Sequence, residues 1–274
     1  MKARIKFQKY GAMKFIGHLD VMRYFQKAFR RAEIDNEYSK GFSPHQIMSF
    51  AAPLGVGLTS DAEYLDVQLL SGEAPEVMIG RMNQALTEGF RIVDYHPLLE
   101  PEFNTKTVTA MSLVASADYL VSLKDGYRIS EDIRSQKEFE EAFVHFYGKP
   151  EIVIGKKTKK SEKAVDIKPM ISLVAFTEED YVDKLQEMTV SRHAADISEI
   201  KYESVADRYE NKIMVYLQVD TGSSANLKPE LVMEAFCEDI GVPFNKFAWQ
   251  VHRLEVYTKE PDTGKLAALN TVDR

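Results

Sequence analysis

Two imidazoles and a carboxylate in the first fifty residues are the groups best suited to chemistry in this chain. Gly17-His18-Leu19-Asp20 opens an amphipathic stretch, and Ser39-Lys40-Gly41-Phe42-Ser43-Pro44-His45 follows it. If the turn before the helix and the loop after it meet at one sheet end, His18, Asp20, Arg23, Ser43 and His45 converge. His18 and His45 could then act as acid and base, as in a small endoribonuclease or metal-assisted hydrolase, with Asp20 orienting one of them. A plainer reading stands beside it. Asp20 caps the helix, Arg23 pairs with a surface carboxylate, and both histidines make structural hydrogen bonds. The spacing of the histidines matches no recognised ligand pattern, and no metal site is expected. The catalytic candidates are His18, Asp20 and His45. Candidate substrate or partner contacts are Arg23, Lys40, Ser43 and His45.

The second constellation is basic. Lys156, Lys157, Lys159, Lys160, Lys163 and Lys168 crowd one short segment against only Glu162 and Asp166. At a hairpin tip they would project positive charge, for which phosphate backbones are the usual target. The nucleic-acid candidates are Lys156, Lys157, Lys159, Lys160 and Lys163. Arg23, Lys27, Arg30, Arg31 and Lys40 could add a second basic surface. Tyr64, Tyr119 and Tyr216 could stack bases if a sheet face exposes them, though tyrosines at strand spacing more often belong to a core. A lysine-rich turn can equally be a solvated device that keeps a strand edge from aggregating.

Other chemistries fail on their motifs. Gly55-Val56-Gly57-Leu58-Thr59-Ser60 has Ser60 where a dinucleotide loop needs a third glycine, and a strand pattern follows it rather than a helix. Gly155-Lys156-Lys157-Thr158 lacks the upstream glycine of a phosphate loop. Asp94-Tyr95-His96 has the first half of a cobalamin-ligand pattern, but Leu99 stands where glycine is needed, and His96 reads as a loop residue before Pro97. The chain carries one cysteine, Cys237, so it cannot build an internal disulfide or a cysteine-held cluster, and no cofactor is expected in it. Thirty-five basic against 42 acidic residues give a net charge of −7, so any nucleic-acid site must be a local patch. No secretory h-region or membrane-length apolar run is present, and a cytoplasmic location without membrane partners is expected.

The elements that must position these groups read as β-α-β-β-α-β. Ala3 to Gln8 alternates, with Ile5 and Phe7 one way and Arg4, Lys6 and Gln8 the other, a half-buried strand. Val21, Phe25, Ala28, Phe29 and Ala32 make one stripe of a helix. Leu65, Val67 and Leu69 alternate against Tyr64, Asp66 and Gln68, and Pro75 can open a second helix. The order predicts an α+β protein with antiparallel sheets, two tandem ferredoxin-like (split βαβ) domains. The first covers residues 1–100. The second covers 101–274, with the lysine-rich hairpin and an inserted polar segment from Thr177 to Arg208 that resists assignment.

One string is distinctive as a whole. Gly17-His18-Leu19-Asp20-Val21-Met22-Arg23, Ala28-Phe29-Arg30-Arg31-Ala32, Tyr38 through His45, Ser49 through Leu54 and Glu63-Tyr64-Leu65-Asp66 resemble the radical-SAM-linked family of uncharacterised bacterial proteins. The likeness continues more loosely through Lys159-Lys160, Asp166-Ile167-Lys168-Pro169, Leu227-Lys228-Pro229 and His252-Arg253. The resemblance implies a companion of, or a region fused to, a radical-SAM protein with a cobalamin-binding region, the cluster chemistry belonging to that partner. By association it implies an RNA or ribosome-related substrate. The expected role is a non-catalytic adaptor.

Overall fold

The computed structural model describes residues 1–99, 108–157, 162–190, 202–223 and 225–272. The chain is a mixed α+β protein built on a mostly antiparallel sheet. It divides into two compact units: Met1–Ala115 with Thr189–Ala206 and Arg253–Arg274, and Ser116–Met188 with Asp207–His252. The expected cut near residue 100 therefore misplaces the C-terminal 22 residues, which return to the first unit.

In chain order the first unit supplies β1 (Lys2–Lys9), α1 (His18–Arg31), β2 (Met48–Phe50), β3 (Thr59–Gln68), α2 (Pro75–Ala85), β4 (Phe90–Leu98) and the short α3 (Ala110–Leu113). The second supplies β5 (Ser116–Leu123), α4 (Gln136–Tyr147), β6 (Val153–Lys157), β7 (Glu162–Asp166), β8 (Ile171–Ala175), α5 (Glu178–Met188), β9 (Met214–Asp220) and α6 (Pro229–Asp239). Strand β10 (Trp249–Lys259) starts in the second unit and ends in the first, and β11 (Leu266–Ala268) follows. His96 lies inside β4, opposite Arg4 of β1, rather than in a loop.

In the first unit the strand order is β4-β1-β3-β10, with β2 also on β3 and β11 on β10. Ala3, Ile5, Phe7, Leu65 and Val67 turn one face toward α1 and α2 and join Phe25, Phe29, Met78, Met82 and Phe90 in the core. Phe25 meets Phe7 at 4.6 Å and Phe90 at 5.4 Å between ring centroids. The opposite face is not half-exposed, as alternation alone implies, because the later segments of the same unit cover it. Arg4 is fully buried, binds Asp66 at 2.8 Å and donates to the Leu269 carbonyl at 2.9 Å. Lys6 pairs with Glu255 at 2.6 Å, and Gln8 donates to Asp61 at 3.0 Å and to the Glu203 carbonyl at 2.9 Å. A charged strand face can be buried because each group meets a partner.

In the second unit the order is β10-β5-β9-β8, with β6 and β7 as a separate two-stranded ladder. Phe139, Phe143 and Phe146 of α4 pack with Phe236 of α6 around its core. Ser135 caps α4 by a reciprocal capping box with Glu138. The polar stretch after Thr177 contains α5, which starts on three acidic residues and turns Tyr181 inward to stack on Tyr216 at 4.8 Å.

Candidate binding sites

Gly17 ends the run into α1 without a side-chain cap, and His18 is the first helical residue. A narrow recess of about 10 Å³, room for about one water, opens beside it, lined by Lys9, His18, Phe50, Pro53, Leu54 and Glu63 among others. The His18 ring stands edge-on to Phe50, 5.1 Å between centroids. Burial, and then the Lys9 ammonium, push the His18 imidazole below its ordinary value, so the ring is neutral near pH 7. Lys9 is buried, and its ammonium donates to the Ile16 carbonyl at 3.3 Å. Burial lowers its pKa against the opposing pull of Glu63. Behind them Arg253 Nη1 lies 2.8 Å from Glu63 Oε1 and 2.7 Å from the Ala52 carbonyl. Burial raises the Glu63 carboxyl even so.

The other sequence candidates do not line this recess. Asp20 and Arg23 are exposed and face each other at 3.4 Å as an i,i+3 pair. His45 is exposed, its Nδ1 2.9 Å from Ser39 Oγ and 3.4 Å from the Ser43 carbonyl. These bonds fold the 39–45 loop on itself, with Lys40 exposed and the Phe42 ring fully in solvent. Asp20 thus makes a surface ion pair while Gly17 holds the cap position of α1, and His45 keeps its hydrogen bonds within its own loop.

Sequence reasoning passed over Lys9, Glu63 and Arg253 as a group. The signal was available. Counting back by two from Val67 and Leu65 puts Glu63 on the apolar face of β3, and counting on from Ile5 and Phe7 brings Lys9 to the end of the β1 series. A buried acid at such a position requires a cation. Among the described residues no group of three or more His, Cys, Asp or Glu side chains is arranged to hold a metal ion.

The lysine-rich segment forms the β6–β7 ladder. Its register sets Lys156 opposite Lys163 and Lys157 opposite Glu162. Lys159 and Lys160 lie outside the described residues. Arg23, Lys27, Arg30, Arg31 and Lys40 are all exposed, so the outer side of α1 is basic. Tyr64, Tyr119 and Tyr216 are buried and offer no stacking platform. Tyr64 donates to Glu255 at 2.6 Å instead, and burial together with that carboxylate holds its phenol protonated. Cys237 is buried in α6, its thiol pushed up to about 11 by burial and Glu234, which makes it a poor nucleophile.

A family model described as "Uncharacterized protein conserved in bacteria (DUF2344)" matches residues 2–229. The chain belongs to this bacterial family. That placement agrees with the resemblance at the level of an uncharacterised bacterial family. No curated protein matches the chain. A chain in the solved structure titled "Crystal Structure of a Cbf5-Nop10-Gar1 Complex" is similar in trace, at 8% identity and a TM-score of 0.42 over 93% of this chain and 48% of that one. This family member thus spans about half the length of that solved chain. No helix among the described residues is long and apolar enough to cross a membrane.

Proposed function

We propose that this chain is a binding module: a non-catalytic adaptor that holds RNA through its lysine hairpin and presents it to a radical-SAM partner with a cobalamin-binding region. The observation that carries the RNA half is the register of β6 and β7. Two lysines stand directly opposite each other, an arrangement that is unfavourable in a ladder unless counter-charge lies nearby. Lys159 and Lys160 follow in the sequence, and the exposed cations of α1 offer a second strip. Such charges give affinity without base specificity, which suits an adaptor for structured RNA.

The partner half rests on the start of α1. Phe15, Leu19 and Val56 are exposed by 65%, 60% and 61%, with the Gly57 amide bonded to the Lys14 carbonyl so that the two segments adjoin. Exposed apolar side chains on two adjoining segments suit a docking face. The name of the partner comes from the family resemblance. The strand orders β4-β1-β3-β2 and β10-β5-β9-β8, each with two crossing helices, support reading the two units as ferredoxin-like.

The test is an equilibrium titration of the full chain with a labelled stem-loop RNA at several salt concentrations. Contact with three to five phosphates gives a log–log slope of about −2 to −4. A flat salt dependence would remove the RNA half of the proposal.

A further inference from the structure

The tyrosines that could have stacked bases are buried, yet one aromatic ring of the second unit stands in solvent beside cations. Phe247 is 65% exposed in the turn that leads into β10. A lone exposed phenylalanine is ordinary, but the backbone on both sides of this one is fixed. Its amide donates to Asn245 Oδ1 at 3.1 Å, and the Ala248 amide donates to the Asn245 carbonyl at 3.0 Å. Its carbonyl accepts from Lys124 Nζ at 3.1 Å. The Lys246 ammonium lies 5.0 Å from the ring centroid. The Lys124 amide donates to the Ala248 carbonyl at 2.8 Å, so the turn after β5 adjoins the turn before β10. Tyr127, 41% exposed, is on that first turn, its amide 3.3 Å from the Lys124 carbonyl. The acid of the same turn, Asp125, is engaged by the Glu210 and Asn211 amides at 3.0 and 3.1 Å.

A ring held out in water beside two ammonium groups adds nothing to the core. A nucleotide of a single strand uses both features, since its base stacks on the ring and its phosphates meet the cations. A duplex keeps its base faces covered by their neighbours and has no use for the ring. We propose that Phe247 is a stacking site for one unpaired base of an RNA strand, with Lys124 and Lys246 placed to meet the flanking phosphates. The inference rests on the RNA reading above for the nature of the ligand, names an unpaired nucleotide as the part taken here, and makes no use of the lysine hairpin.

The experiment titrates the full chain with a short single-stranded oligoadenylate and, separately, with the same strand paired into a duplex. Affinity is read by fluorescence anisotropy and the adenine ring protons by NMR. Saturable binding of the single strand is expected, with an upfield shift of the adenine protons from the phenyl ring current. Phe247→Leu keeps an apolar side chain without the ring. It should weaken single-strand binding by about fivefold or more, remove the upfield shift, and leave duplex binding and thermal unfolding unchanged. Phe247→Trp should restore both losses. Lys246→Gln should lower the single-strand salt slope by about 0.7. A single strand that does not bind, or that binds Phe247→Leu equally well, overturns the stacking site, and an unchanged slope in Lys246→Gln overturns the phosphate contact. The hairpin is judged separately. Stem-loop binding that falls on charge reversal of the hairpin, beside equal single-strand binding by Phe247→Leu, leaves the RNA reading standing without this site. The opposite pattern leaves this site standing without the hairpin.

Discussion

Arg253 and Glu63 form an ion pair at 2.8 Å with side chains 6% and 5% exposed, and Glu63 also lines the recess that His18 borders. Breaking one side of such a pair strands the other charge in a dry environment. Glu63→Ala is expected to lower unfolding free energy by about 3–5 kcal/mol, read from urea denaturation. A loss below about 1 kcal/mol would show that water reaches Arg253 freely.

His18 gives stability a pH dependence whose sign can be worked out. Its folded value lies below the ordinary 6.5, because burial and Lys9 disfavour the imidazolium. Between the two values the unfolded chain binds more protons, so this contribution is complete above pH 6.5 and lost as pH falls. Glu63 runs the other way, since its raised carboxyl favours the fold at lower pH. Comparing the protein with His18→Gln isolates the histidine. The stability difference should shift against the native protein as pH drops from 7 to 5, and a pH-independent difference would contradict the assignment.

The capping box of α4 predicts a smaller effect far from either candidate site. Ser135 accepts from the Glu138 amide while Glu138 reaches back to the Ser135 amide. Ser135→Ala should cost about 1 kcal/mol in denaturation. RNA affinity should not change with it.

The apolar face at the start of α1 separates the two halves of the proposed function. Leu19→Asp is 60% exposed at its site and should leave stability within about 0.5 kcal/mol. If the proposed radical-SAM partner docks there, the variant should reduce its capture at least tenfold, measured by co-purification, while RNA binding stays the same. Equal capture by the variant would place docking elsewhere.

Much of this arrangement was legible in residue order. The stripe Val21, Phe25, Ala28 and Phe29 marks α1, and alternation through Leu65 and Val67 marks β3. What alternation could not show is that Arg4, Lys6 and Gln8 are buried, because their cover comes from residues 195 to 265 positions later. The same distance hid the C-terminal return to the first unit. Helix α5 was obscured by its solvated acidic face, with Tyr181 its buried residue. At the candidate sites, His18 was found by residue type. Its neighbours Lys9 and Glu63 were missed because charged residues on apolar strand faces look like breaks in a pattern rather than paired groups.

The central claim is that the lysine hairpin holds RNA, and charge reversal tests it most directly. Lys156→Glu, Lys157→Glu, Lys159→Glu and Lys160→Glu are combined in one chain, and its affinity for the same stem-loop RNA is measured at fixed salt. The account predicts at least a tenfold loss of affinity, with unchanged thermal unfolding. Undiminished binding by the folded variant would contradict it.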